Sequence, residues 1–248
     1  MQVANKVALI TGSGKGLGKA FAGALLQRGA RVCLSDVNPE TLQTTHDQYA
    51  SKFGRENVCS CPCDVTVEAN LKDLFSKARQ DLKGLDIVVN NAGIADESKW
   101  DKMVDINLKG VISGTLMGME AMKTANGGSG GIIVNVASMA GLIPVAHVPA
   151  YSATKYGVVA YTKSWAENPE SVDNNIRMVC LCPAYTKTDI MKMTDYSVHN
   201  SDIANASVVK LGIMSVETVV TAFLKLLDDN DNHGKALSVM NAKGMHYI

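Results

Sequence analysis

The chain opens with a segment that has few structural solutions. Lys6-Val7-Ala8-Leu9-Ile10 is a short apolar run of the kind buried on both faces of a sheet. Thr11 to Gly18 follows as a turn holding Gly12, Gly14, Gly16 and Gly18, with Lys15 and Leu17 between them. Leu17, Phe21, Ala24, Leu25 and Arg28 then recur at helical spacing as far as Gly29. Strand, glycine turn, helix is the start of a parallel α/β unit. Glycine lets such a turn bend sharply and lets a phosphate approach without a Cβ clash. The helix behind it presents free N–H groups and the positive end of its dipole.

The same alternation predicts the rest of the chain. Strands are expected at 31–36, 58–63, 85–90, 132–137, 176–182 and 236–240. Helices are expected from Pro39 to Phe53, from a Thr66 cap to Lys83, from Trp100 to Lys123, from Tyr151 to Trp165 and from Val216 to Leu227. This implies an α/β fold, a doubly wound parallel sheet of about seven strands with helices on both faces, a Rossmann-type fold. No linker or repeat divides it, so residues 1–248 read as one dinucleotide-binding catalytic domain. Irregular periodicity over 186–214 marks a substrate lid, in which Ile190, Met191, Met193, Ile203 and Met214 offer flexible apolar side chains.

Charge narrows the partners. Lys plus Arg is 24 and Asp plus Glu is 24, which leaves no basic excess for a nucleic acid. Thr124 to Thr154 carries no charged residue and is long enough to cross a bilayer. Its Asn126, Asn135, Ser138, Pro144, His147 and Pro149 suit a neutral active site better than lipid. Val7-Ala8-Leu9-Ile10 is too short for the apolar part of an export signal, so a cytoplasmic protein is expected. Cys59, Cys61 and Cys63 alternate on one strand, as do Cys180 and Cys182. That spacing fits buried thiols in a reducing compartment, neither a disulfide nor a zinc site.

Two constellations carry chemistry. Asp36 ends the second strand, where its carboxylate can accept from both adenosine ribose hydroxyls and repel a 2′-phosphate. It argues for NAD over NADP. Lys15 is the contrary signal, a cation inside the turn. Tyr151 and Lys155 lie four apart and share a helix face. A free tyrosine, with pKa about 10, is a poor base at neutral pH. A nearby ammonium should lower that value, so that the phenolate takes a proton from an alcohol. Ser138, at the carboxyl end of the fifth strand, can hold the same oxygen. No metal is called for, because phenolate and ammonium handle the charge.

Taken together, Thr11-Gly-x-x-x-Gly-x-Gly18, Asp64, Asn90-Asn91-Ala92-Gly93, Asn107, Ser138 and Tyr151-x-x-x-Lys155 resemble the short-chain dehydrogenase/reductase family over nearly the whole chain. The resemblance implies that Asp64 hydrogen-bonds near the adenine and that Asn91 and Gly93 lie along the cofactor. It sets Leu17, Val65, Ala92, Pro183 and Thr186 beside the cofactor too, with Thr188 near the nicotinamide or diphosphate. Asn107 would place a water in a proton relay through Lys155, and Lys155 would also hold the nicotinamide ribose. Ser138, His147, Val148, Tyr151 and Tyr185 would face the substrate.

Within the family, Val111 to Thr115, Asn126 to Ile133, Ala140 to Ala146 and Ala242 to His246 are similar to members that oxidise a secondary allylic alcohol on a fatty-acid-derived chain. A 15-hydroxyprostaglandin-like compound or a hydroxy fatty acid is therefore the implied substrate. His147-Val148-Pro149 departs from them, since a glutamine pair precedes that proline there, and Ala184 replaces a family glycine. A steroid, retinoid or other apolar alcohol remains open, as does a non-catalytic dinucleotide sensor, which has no need of the intact Ser138, Tyr151 and Lys155. The helices at 100–123 and 151–165 imply a homodimer or homotetramer, with Met117, Met122, Val158 and Tyr161 as possible contacts.

Overall fold

The structure, a computed structural model, describes residues 2–191 and 197–248. Met193 of the expected lid lies outside them. Strands β1 (Val7–Thr11), β2 (Arg31–Asp36), β3 (Val58–Pro62), β4 (Ile87–Asn90), β5 (Gly131–Val136), β6 (Ile176–Pro183), β7 (Ala236–Met240) and β8 (Gly244–Tyr247) form one sheet. Its order is β3-β2-β1-β4-β5-β6-β7-β8. All neighbours pair in parallel except β7 and β8, which run antiparallel. The order reverses direction between β1 and β4. Sheets of this kind bind ligands at such a switch point, beyond the carboxyl ends of the strands.

Helices α1 (Gly16–Gln27), α2 (Pro39–Phe53), α3 (Glu68–Leu82), α4 (Trp100–Val104), α5 (Gly110–Met122), α6 (Pro149–Ala166), α7 (Pro169–Asp173), α8 (Ser201–Leu211) and α9 (Val216–Asp228) complete the fold. One core joins the sheet to α1 and α9, where Phe21 stacks on Phe223 with ring centroids 4.3 Å apart. The other joins it to α3 and α5 through Leu71, Leu74, Met119 and Met122. β1 is buried at every position, because helices cover both of its faces.

The sheet is the doubly wound, largely parallel one expected, with an eighth, antiparallel strand added at its edge. β8 is four residues of alternating exposure and was too short and polar to register. The long helix over 100–123 is two helices joined by a π-helical turn at Asp105–Lys109, which widens the backbone around Asn107. Thr66 does not cap α3. Its N–H and hydroxyl both bond Asp64 Oδ1, at 2.9 and 2.7 Å, and the helix begins at Glu68. Met122 and Val158 are fully buried in their own cores, so they offer nothing to a second chain.

The 186–214 segment leaves the sheet after β6 and returns to its own start. Thr186 bridges Met214, Met214 N–H donates to Tyr185 O at 2.8 Å, and Lys187 N–H donates to Met214 O at 3.0 Å. Among the described residues, no helix is long and apolar enough to cross a membrane.

Candidate active site

The glycine turn is braced from beneath. Asn91 Nδ2 donates to Thr11 O and Gly12 O at 2.9 and 3.0 Å, and Thr11 Oγ1 accepts from the Asn91 and Ala92 N–H groups. Gly12 and Gly16 adopt φ of 64° and 59°, a region that favours glycine. A side chain on Gly18 would drive its Cβ into the Gly12 carbonyl and to 2.5 Å from Asn91 Nδ2. Asn91 thus acts on the turn itself.

This turn fits a dinucleotide. α1 begins after Lys15 with no side chain capping it, so its first N–H groups are open to an anion. Asp36 sits beside the turn, with Oδ2 accepting Gly14 N–H at 3.0 Å and Oδ1 accepting Asn38 N–H at 3.0 Å. Two ordinary hydrogen bonds leave its carboxylate acceptor capacity to spare. Thr188 overhangs Gly16, with its Cβ 3.9 Å from where a Gly16 Cβ would stand. Lys15 Nζ pairs with Asp189 at 3.0 Å, directing the cation of the turn toward the loop after β6. Val65 and Pro183 are buried, and Leu17 and Ala92 pack partly against the cores. The Thr186 hydroxyl donates to Ala184 O at 2.9 Å and the Thr188 hydroxyl to Thr186 O at 3.3 Å, so both shape their own loop.

β5 and α6 bring the acid–base residues together. Ser138 lies close to the Tyr151 phenol, its Oγ accepts Ala140 N–H at 3.1 Å, and its hydroxyl donates to Pro183 O at 3.4 Å. Lys155 is 3% exposed and donates to Val136 O at 3.0 Å, with Nζ 5.6 Å from the Tyr151 ring centroid. Tyr151 keeps part of its surface open, yet the protein packed around its phenol pushes its pKa up to about 12, and Ser138 only partly offsets this. Burial lowers Lys155 to about 8. The expected depression of the Tyr151 pKa by its neighbour is therefore absent from the protein alone. The ammonium lies by the ring and turns to a carbonyl, and desolvation dominates.

Asn107 is fully buried in the π-helical turn. Its Oδ1 accepts Ile94 N–H at 2.9 Å and its Nδ2 donates to Ile94 O at 2.8 Å. Gly93 lies between it and Lys155: a Cβ there would be 3.2 Å from Asn107 Oδ1 and 3.6 Å from Lys155 Nζ. Asp64 faces Thr66, as described above.

On the opposite side of Tyr151, Val148 is buried in an apolar cluster with Val145, Val198 and Ala204, against the Tyr151 ring. His147 is 1% exposed, and its Nε2 lies 3.0 Å from the Tyr185 hydroxyl. The His147 carbonyl accepts His199 N–H at 3.0 Å, which joins it to the segment entering α8. Sequence reasoning passed over Thr11 as a brace and passed over Glu97 altogether. Glu97 is a buried carboxylate whose oxygens accept the Ala150 and Tyr151 N–H groups at 3.0 and 2.8 Å.

Residues 6–198 match the model of the short chain dehydrogenases. The chain is 36% identical, over 100% of its length and 95% of the relative's, to 15-hydroxyprostaglandin dehydrogenase [NAD(+)] of Rattus norvegicus. It is 30% identical to a 3-oxoacyl-[acyl-carrier-protein] reductase of Thermotoga maritima, over 94% of each chain. Among solved structures, levodione reductase superposes with a TM-score of 0.84 at 25% identity, over 96% of each chain. A short-chain dehydrogenase/reductase from Burkholderia phymatum in complex with NAD does so with 0.81 at 25%, over 92% of this chain and 87% of that one. This chain belongs to the short-chain dehydrogenase/reductase family.

Proposed function

We propose that this protein is an NAD-dependent dehydrogenase that oxidises a secondary alcohol to a ketone, with Tyr151 as the acid/base. The observation that carries this reading is the Tyr151 ring, its centroid 5.6 Å from Nζ of the buried Lys155 and Ser138 close by, at the sheet end that also holds the glycine turn. NAD supplies the hydride acceptor when bound. The turn from Gly12 to Gly18 and the open end of α1 would hold its diphosphate, and Asp36 its adenosine ribose. Asp64, Val65, Ala92, Gly93, Pro183, Thr186 and Thr188 would line the rest. Ser138 orients the substrate oxygen, and Tyr151 takes its proton. Lys155 would hold the nicotinamide ribose, and Ser138 favours the phenolate. Asn107 keeps the 93–94 backbone in place beside Lys155 and would seat the relay water.

For the substrate we propose a 15-hydroxyprostaglandin-like or hydroxy fatty acid chain. The relatives of that name match over the whole chain, and Val145, Val148, Val198 and Ala204 offer an apolar wall next to Tyr151. His147 engages Tyr185, so substrate selection here would rest on shape and apolar contact more than on a polar group at 148. The test is NADH formation by purified protein with a 15-hydroxyprostaglandin, a hydroxy fatty acid, a hydroxysteroid and a short alcohol, with NADP in parallel. Turnover of the first two with NAD supports the reading. Turnover of the steroid alone discards the chain-lipid assignment.

We also propose a cytoplasmic homo-oligomer. Trp100, Leu116 and Tyr156, on α4, α5 and α6, stay 61%, 46% and 40% exposed, an apolar excess that a second chain would cover. Sedimentation should give a dimer or tetramer at micromolar concentration, and a monomer would contradict this.

A further inference from the structure

Glu97 has no part in the chemistry above, yet its carboxylate is 3% exposed. Buried carboxylates need partners, and these are revealing. α6 begins with Pro149, which has no N–H, and Val148 before it cannot cap. The Ser152 N–H closes onto Val148 O at 2.9 Å. The Ala150 and Tyr151 donors remain, and both end on Glu97, 53 and 54 residues earlier in the chain. A carboxylate there also meets the positive end of the helix dipole.

The same residue touches the segment entering α8. Glu97 N–H donates to Ser197 O at 3.2 Å, and His199 Nε2 lies 3.4 Å from Glu97 Oε2. His199 N–H donates to His147 O at 3.0 Å. Val198, between these contacts, packs in the cluster that holds Val148 and Tyr151. One buried carboxylate therefore joins the main chain of Tyr151 to the lid.

We propose that Glu97 is a positioning residue that sets Tyr151 against its substrate and couples the seating of residues 197–211 to it through His199. This rests on Tyr151 as the acid/base. A glutamine at 97 would accept with one oxygen and turn its amide N–H groups toward a helix N–H. The first turn of α6 would then shift, moving Tyr151 without removing it. Small misplacements of reacting groups are costly in rate.

The test combines steady-state kinetics on the alcohol that the protein turns over with amide hydrogen exchange at Ala150 and Tyr151 and thermal unfolding. The variants are Glu97→Gln, His199→Ala and the pair. Glu97→Gln should lower kcat about 10- to 100-fold, with NAD affinity held and both amides exchanging faster. His199, with its side chain 64% exposed, can be removed without loss of fold. His199→Ala should raise KM several-fold, on the order of 3- to 10-fold, speed the same amides, and add nothing in the Glu97→Gln background. Wild-type kcat in Glu97→Gln, or an equal His199→Ala effect in both backgrounds, would overturn the proposal. If Glu97→Gln does not fold, His199→Ala decides through hydrogen exchange: unchanged protection at Ala150 and Tyr151 overturns the coupling. Activity that survives Tyr151→Phe would overturn the acid/base reading instead, and would leave the exchange result standing.

Discussion

At the scale of single residues, Tyr151 and Lys155 are displaced in opposite directions by one cause. Burial disfavours charge, so the phenol rises to about 12 and the ammonium falls to about 8. Lys155 titrates near 8 when folded and near 10.5 when unfolded. Between those values the unfolded chain holds the extra proton, so stability rises with pH from about 8 to about 10.5. Below about 8 both states are charged and the burial penalty is present in full. Chemical denaturation should show this rise in the wild type and lack it in Lys155→Met. Tyr151 acts in the other sense, costing stability as pH climbs from about 10 to about 12. Motif spacing singled out Asp36, Ser138, Tyr151 and Lys155, because each falls at a fixed place relative to its own strand or helix. Glu97 left no such mark. Its partners are more than fifty residues away, and an acid beside Asp96 reads as surface.

Elements were legible where one period ran unbroken. β1 and α1, with the turn between them, follow their apolar spacing closely. The 100–123 helix was not, because a π-helical turn adds a residue to one coil without disturbing the apolar pattern on either side. The glycine turn gives a prediction at this scale. Gly18→Ala should destabilise the fold by about 1–3 kcal/mol, since its Cβ would meet backbone that cannot yield. NAD affinity should fall with it, as the brace from Asn91 is displaced. Thermal unfolding and a cofactor titration check both, and wild-type values in each would refute the close approach.

For the whole molecule, the parallel direction of the strands followed from alternation, since parallel strands need helical crossovers. The closing strand did not, because an antiparallel return needs only a short turn, here between Met240 and Gly244. β8 covers the edge of β7 along Leu237 and Val239. Removing residues 244–248 would leave that edge open to other chains. The truncated protein should therefore aggregate on warming at a lower temperature than the full chain, as light scattering would report. Unchanged scattering would mean that β8 is dispensable.

The central claim is hydride transfer from a secondary alcohol to NAD, with Tyr151 taking the proton. Its most direct test is single-turnover NADH formation from a 15-hydroxyprostaglandin, comparing the wild type with Tyr151→Phe. The expected result is a fall of about 10²- to 10⁴-fold, with NAD still bound and a wild-type rate that increases with pH as the phenol ionises. Equal rates in the two proteins, or a wild-type rate that falls as pH rises, would contradict it.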